Sequence, residues 1–257
     1  NTFKKIGAKP DYVVYGFANT SVDTFLLQNK YENDKHFAYL TQVYNGKKMP
    51  INETSHDFDG NAMQIIELEN GKRIWFFNCL YGDISRDLGE ALIEYGANNV
   101  LFLGTAGALD SSFQVGDLIT PAIEVFADGT RDVIQEFKPI AAVPKVGHYE
   151  HVLTPNIETS AWLEKTLSKG VNIVDVELKY WRELVKNNKI QFSSVLVISD
   201  VLSGPNHKDM TEWGLNETHA LRPKLRDVFY ALIQAKDFQE FRVKKYWAQP
   251  MVEGSII

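Results

Sequence analysis

Cysteine is almost absent from this chain. Cys79 is the single cysteine among 257 residues, so an internal disulfide is impossible and zinc sites built from several cysteines are excluded. A chain of this length can bury a large core without covalent cross-links. The cysteine content favours a reducing, cytoplasmic setting, and the length favours one domain over residues 1–257.

Long apolar runs and basic blocks are also missing. No segment approaches the roughly 20 apolar residues that a transmembrane helix requires. Residues 1–10 are polar and basic, unlike the apolar segment of a signal peptide. The formal net charge is −6, and lysines and arginines do not cluster. We therefore expect neither a membrane nor a nucleic acid polymer as a partner.

The most informative stretch lies between residues 100 and 117. Residues 100–103 are all apolar, which is typical of a strand buried on both faces. Gly104 and Gly107 allow a tight turn and a close ligand approach, because neither carries a Cβ atom. Open α/β sheets bind ligands at the carboxyl ends of their strands, so the pattern predicts a site here. A simple tight connection between two elements is the alternative interpretation.

Strand-like and helix-like segments alternate along the rest of the chain. Asn70-Gly71 predicts a hairpin, and Ser85 is a candidate N-cap of a helix that Gly96 ends. Glu177 opens another helix, and Pro223 is expected in the first turn of the last one. No periodicity is evident in residues 246–257. Further strands are expected at 12–16, 118–126, 151–154, 171–176 and 194–200, and a short helix at 161–167.

Three motifs in order resemble the nucleoside phosphorylase and nucleosidase superfamily, which includes purine nucleoside phosphorylases and methylthioadenosine/S-adenosylhomocysteine nucleosidases. They are Gly-Thr-Ala-Gly-Ala-Leu from Gly104 with Val-Gly-Asp from Val115, then Val-Asp-Val-Glu ending at Glu177, and Ile-Ser-Asp ending at Asp200. The resemblance implies a three-layer α/β fold with a central mixed, partly barrel-like sheet flanked by helices. It also implies cleavage of the N-glycosidic bond of a purine nucleoside.

The resemblance assigns a role to each matched residue. Asp200 is similar to the aspartate that protonates N7 of the leaving purine, which requires a carboxyl pKa raised by burial. Glu177 is similar to the glutamate that accepts hydrogen bonds from the ribose hydroxyls. Val176 stands where the family usually has a methionine packed against the ribose. Three further residues, Thr105, Ala106 and Gly107, match positions that contact phosphate or the attacking water.

Structural roles explain the two acids equally simply before the resemblance is considered. Asp200 follows a strand and is a possible turn or helix cap. Glu177 is suited to the first turn of a helix, where acids complement the helix dipole. The Gly104-x-x-Gly107 pattern also occurs in dinucleotide folds, but Gly-x-Gly-x-x-Gly is absent from this sequence.

The residues that distinguish hydrolysis from phosphorolysis favour hydrolysis. Many phosphorylases have an arginine two residues before the glycine pair, where this chain has Phe102. Arg86 is the one nearby cation left for phosphate, which would be a co-substrate only in a phosphorylase. Nucleosidases place an acid after the first strand to activate water. Asp23 falls near that position and is our candidate general base, with a helix-opening acid as the alternative.

The base-binding side departs from the family pattern. The segment between Asp117 and Glu177 is about one helix shorter than in nucleosidases, and the expected aromatic residue is replaced near Ile157. We therefore expect a nucleosidase without cofactor or metal, and a homo-oligomer, since family members commonly complete their pockets from a neighbouring subunit. The alternatives are a non-catalytic nucleoside-binding, storage or interaction protein on the same fold, and a phosphorylase that uses Arg86.

Overall fold

A computed structural model describes most of the chain. It covers residues 9–18, 20–22, 24–25, 62–154, 158–205, 207–209, 215–235 and 242–250. Strands and helices alternate along the described residues as expected for an α/β protein. None of the helices in these ranges is long and apolar enough to cross a membrane.

The described strands and helices have the following bounds. The strands are Tyr12–Tyr15 (β1), Ala62–Leu68 (β2), Arg73–Phe77 (β3), Asn99–Ala108 (β4), Leu118–Val125 (β5), Arg131–Val133 (β6), Lys145–His151 (β7), Ile173–Asp175 (β8), Gln191–Val201 (β9) and Val243–Pro250 (β10). Helices span Ile84–Tyr95 (α1), Ser160–Ser168 (α2), Leu178–Asn187 (α3) and Leu215–Ile233 (α4).

Four parallel strands form the centre of the sheet, in the order β3-β1-β4-β9. Side chains on the two faces of β4 enter two different cores, because successive residues of a strand point to opposite faces. Phe102 packs in one core with Trp181 of α3, and Leu101 packs in the other with Phe229 of α4. Helices therefore cover both faces of the sheet, which explains why its central strands are apolar without alternation.

The sheet closes on itself on one side of β4. That strand pairs with β9 along its length and with β8 at its last two residues, Gly107 and Ala108. The ring is completed by the pairs β9 with β5, β5 with β7, and β7 with β8. On the other side, β1, β3, β2 and β10 extend the sheet as an open arm. The predicted fold, a mixed and partly barrel-like sheet flanked by helices, is confirmed.

Several predicted elements agree with the structure. The β2–β3 hairpin turns at Asn70 and Gly71, where Gly71 has a φ of 82°. Helix α1 ends at Gly96 in the left-handed conformation, as a C-terminal glycine allows. The predicted helix at 161–167 is α2, and the strand expected at 194–200 lies within β9.

Other predicted boundaries are wrong for identifiable reasons. Ser85 is not the N-cap of α1, because Asp83 holds that position and the buried Ser85 hydroxyl bonds to another helix. Pro223 lies inside α4, which begins at Leu215 and already buries Leu221 before the proline. The strand expected at 151–154 ends at His151. Part of the tail without periodicity forms β10, which pairs with β2.

The loop after β1 depends on a glycine. Gly16 has a φ of 106°, and a Cβ atom there would lie 1.9 Å from the Leu103 carbonyl oxygen of β4. The left-handed backbone and the close approach therefore each require glycine. This contact places the β1 loop directly against the central strand.

We expect Gly16→Ala to lower the free energy of unfolding by about 3 kcal/mol or more, because steric overlap adds to backbone strain. Gly71→Ala is the matched control. Its φ is also positive, but a Cβ atom there would meet nothing within 4 Å, so only the strain of about 1 kcal/mol applies. Denaturant unfolding of both variants measures the difference. Equal losses would contradict the contact between Gly16 and β4.

Candidate active site

The carboxyl ends of the parallel strands meet at one edge of the sheet. The loop after β1 lies there through Gly16, and the loop after β3 leads to Gly82. The end of β4 contributes Gly107, and Asp200 lies near the end of β9. Ligands of α/β sheets bind at such an edge, so this region is the candidate site.

Glu177 joins this edge from the barrel side. It lies between β8 and α3 with only 6% of its surface exposed. Its Oε1 atom accepts a hydrogen bond from the Gly82 backbone N–H at 3.1 Å. Burial raises the pKa of Glu177, whereas the bond from Gly82 favours its charged form. The side chain is therefore attached to the β3 loop and is not free in solvent.

Asp175, and not Glu177, caps helix α3. Its Oδ1 atom accepts hydrogen bonds from the backbone N–H groups of Glu177 and Leu178, at 3.1 Å and 2.5 Å. The Glu177 side chain makes no capping bond, although this residue occupies the N-cap position. The interpretation of Glu177 as a helix-opening acid therefore does not explain the direction of its carboxyl group.

Two aromatic side chains form hydrogen bonds with the segment that follows β3. The Tyr15 hydroxyl accepts a hydrogen bond from the Leu80 backbone N–H at 2.7 Å. The Trp181 indole donates to the Ser85 hydroxyl at 2.8 Å, and both groups are buried. These two bonds fix the loop on both sides of Gly82, and thus fix the donor that Glu177 uses.

Asp200 lies near the end of β9 with 9% of its surface exposed. Burial raises its pKa, and the charge of Asp209 raises it further. The Ser199 hydroxyl donates a hydrogen bond to Asp200 Oδ1 at 2.5 Å and lowers the pKa in opposition to burial. The raising effects are larger than the lowering effect. The Asp200 carboxyl group therefore keeps its proton to a higher pH than an exposed aspartate does.

The glycine pattern is part of a strand, which corrects the predicted tight turn. Strand β4 continues through Gly104 to Ala108, and the ladder with β9 is irregular between Ala106 and Gly107. Gly107 gives room for the acid, since a Cβ atom there would lie 3.2 Å from Asp200 Oδ2. A Cβ atom at Gly104 would instead meet the Phe102 ring at 2.6 Å, which indicates a packing role.

The other matched residues of β4 lie beside Gly107. Thr105 is exposed, and Ala106 is buried with its carbonyl oxygen 3.4 Å from the Ser199 hydroxyl. The Gly116-Asp117 pair has a structural role, because Asp117 accepts hydrogen bonds from Gln114 N and Lys145 Nζ.

The remaining predicted site residues are distributed as follows. Val176 is partly buried against the apolar cluster that contains Val174. Arg86 lies on the exposed surface of α1, where its guanidinium pairs with Glu90 at 3.0 Å. Asp23 and Ile157 lie outside the described residues, so their predicted roles stay predictions.

Two acids at the site were not predicted from the sequence. Glu158 precedes helix α2 and is half-buried, and burial together with the charge of Asp200 raises its pKa to about 7. Asp175 is buried beside Glu177. Asp175 lies in the quoted Val-Asp-Val-Glu motif, so its place in that motif was the available signal. Glu158 had no such signal. No cluster of three potential metal ligands occurs among the residues with described positions.

Comparisons with known proteins were made for both the sequence and the fold. No curated protein matches the sequence significantly. The fold is similar to the crystal structure of the Campylobacter jejuni 5′-methylthioadenosine/S-adenosyl homocysteine nucleosidase, with a TM-score of 0.59 and 13% identity. That alignment covers 86% of this chain and 98% of the nucleosidase, and at this identity it establishes the fold alone.

The sequence profile of the phosphorylase superfamily matches residues 36–176, which is more than half of the 257 residues. The match includes the glycine-containing end of β4 and the strand β8. It ends one residue before Glu177, so it does not test the predicted roles of Glu177 and Asp200. On the combined evidence of profile and fold, this chain belongs to the phosphorylase superfamily.

Proposed function

We propose that the protein cleaves the N-glycosidic bond of a purine nucleoside by hydrolysis. The observation that carries this proposal is the buried Asp200 carboxyl group at the end of β9, opposite Gly107. Bond cleavage moves negative charge onto the departing base. A carboxyl group that retains its proton in a protected position is suited to neutralise that charge.

Glu177 supplies the complementary group for the sugar. The transition state of such a reaction is similar to a ribosyl cation, so a carboxylate near the ribose stabilises the positive charge and accepts hydrogen bonds from its hydroxyls. The Gly82 amide bonds to Glu177 Oε1, and each carboxylate oxygen has more than one lone pair, so the group can also accept hydrogen bonds from the ribose. The two acids then act on opposite sides of the bond that breaks.

Two observations favour water over phosphate as the second substrate. Phe102, at the position where many phosphorylases have arginine, is fully buried between Tyr15 and Trp181. Arg86 is engaged by Glu90 on the exposed surface of α1. A bound phosphate dianion normally needs such cations, so phosphorolysis is the less supported reaction. A non-catalytic nucleoside-binding protein is the alternative that the first experiment below distinguishes.

We expect the protein to release free base from purine nucleosides, 5′-methylthioadenosine and S-adenosylhomocysteine without added phosphate. Asp200→Asn should lower kcat by about 10²- to 10⁴-fold, because the amide cannot transfer a proton. Asp128→Asn, in an exposed turn, is the control and should keep normal rates. Chromatography of the products measures both.

Other outcomes of the same assay identify the rival functions. Base release only in the presence of phosphate would replace hydrolysis by phosphorolysis. Nucleosides that raise the melting temperature without any cleavage would identify a binding protein. A normal rate for Asp200→Asn would remove Asp200 from the chemistry.

The pH dependence offers a separate test of the acid role. Activity that needs the protonated form of Asp200 is present below its pKa and falls as the pH rises through it. Ser199→Ala removes the hydrogen bond that lowers this pKa, so the alkaline fall of kcat should move to higher pH. Ser203→Ala, which loses a bond to the Leu109 carbonyl oxygen, is the control and should leave the profile in place. A fall that moves to lower pH would contradict the assignment.

A further inference from the structure

Asp175 has a carboxyl group with an unusual set of contacts. It is 4% exposed at the end of β8, and its Oδ1 atom accepts both N–H groups at the start of α3. Its buried Oδ2 atom has no hydrogen-bond donor among the described residues. The Glu177 carboxyl group lies close enough to the Asp175 side chain for each group to shift the pKa of the other.

Two buried carboxyl groups this close to each other favour a state with one proton between them. Two buried carboxylates would repel each other, and neither has a hydrogen to donate, so one of them is protonated when they bond. We place the proton on Asp175, because its Oδ2 atom is buried without a donor among the described residues. A carboxylic acid accepts through its carbonyl oxygen and donates through its hydroxyl oxygen, and Oδ1 and Oδ2 of Asp175 match these two roles.

Among the described residues, no cation is a main cause of the pKa shifts of the pair. The titratable groups that face the pair from the adjacent strands and from α3 are neutral near pH 7: Tyr15, Cys79, Tyr149, His151 and Tyr180. Burial lowers the pKa of His151 to about 4, with a smaller effect of Lys179 in the same direction. Arg182, which also faces Tyr149, forms ion pairs with Glu124, Asp132 and Glu136.

We propose that Asp175 is a positioning residue that carries this proton and donates it in a hydrogen bond to the Glu177 carboxylate. Glu177 then accepts from Gly82 on one side and from Asp175 on the other, and keeps a single negative charge. This fixes the orientation in which Glu177 meets the ribose hydroxyls. The proton assignment stands by itself, whereas its effect on ribose binding rests on the proposed function.

Asp175→Asn imitates the protonated side chain. Its carbonyl oxygen can accept the two α3 amides, and its NH₂ group can donate to Glu177. Difference infrared spectra of wild type and variant in D₂O at pH 7 should show that the substitution removes a carboxylic acid band and no carboxylate band. Asp128→Asn is the control, because hydrogen bonds from Thr130 lower the pKa of Asp128 and its loss should remove a carboxylate band. A lost carboxylate band in Asp175→Asn would overturn the proposal.

The positioning role is tested with substrates that differ only at the sugar. Asp175→Asn should keep kcat/KM for ribonucleosides within about threefold of wild type, which is less than 1 kcal/mol. Asp175→Ala should raise KM for ribonucleosides by about 10- to 100-fold, the range for a lost bond to a charged group. It should change KM for 2′,3′-dideoxynucleosides little, since these lack the hydroxyls that Glu177 binds. Comparing both substrates within one variant separates positioning from a general loss of folding.

The two proposals fail in different ways. If the wild-type protein neither cleaves nor binds any nucleoside, the proposed function is wrong. The infrared spectra still decide where the proton lies in that case. If nucleosides are cleaved but Asp175→Ala raises KM equally for both sugars, the positioning role is overturned. If Asp175→Ala does not fold, the Asp175→Asn spectra and kinetics provide the decision.

Discussion

The register between β4 and β9 determines where the parts of the candidate site lie. It places Gly107 opposite Asp200 on one neighbour and opposite Val174 on the other. Since Gly107 has no side chain, the Asp200 carboxyl group can rest against β4. A shift of one residue would turn the acid to the other face of the sheet. The irregularity at Ala106 and Gly107 is thus the local feature on which the geometry depends.

The sequence predicted where the main strands lie, but it predicted a turn where the backbone of β4 is still extended. Gly104 and Gly107 were expected to form a turn, because glycine is more frequent in turns than in strands. Here the reason for glycine is tertiary, namely space for Phe102 at one position and for Asp200 at the other. Contacts between residues distant in sequence decide such cases, and local propensity does not contain them. Pro223 is a second example. Local preference predicts proline in the first turn of a helix, but burial of Leu221 favours a helix that begins before the proline.

The acids of the site illustrate a similar limit. Motif resemblance identified Asp200 and Glu177, and the structure places both at buried strand ends with raised pKa values. It did not reveal that Asp175 caps α3, while the Glu177 side chain accepts a hydrogen bond from Gly82 instead. Nor did it reveal Glu158, whose electrostatic interaction with Asp200 joins two segments that are distant in sequence. Pairwise electrostatics between distant segments becomes visible only after folding.

Two adjacent residues attach helix α3 to different neighbouring elements. Trp181 joins it to α1 through Ser85, and the next residue, Arg182, joins it to β5 and β6 through Glu124 and Asp132. These bonds oppose sliding of the helix along its axis, and thereby restrain the position of Glu177 at its start. In the proposed function, a nucleoside that binds to Glu177 would therefore lose little affinity to the ordering of this helix.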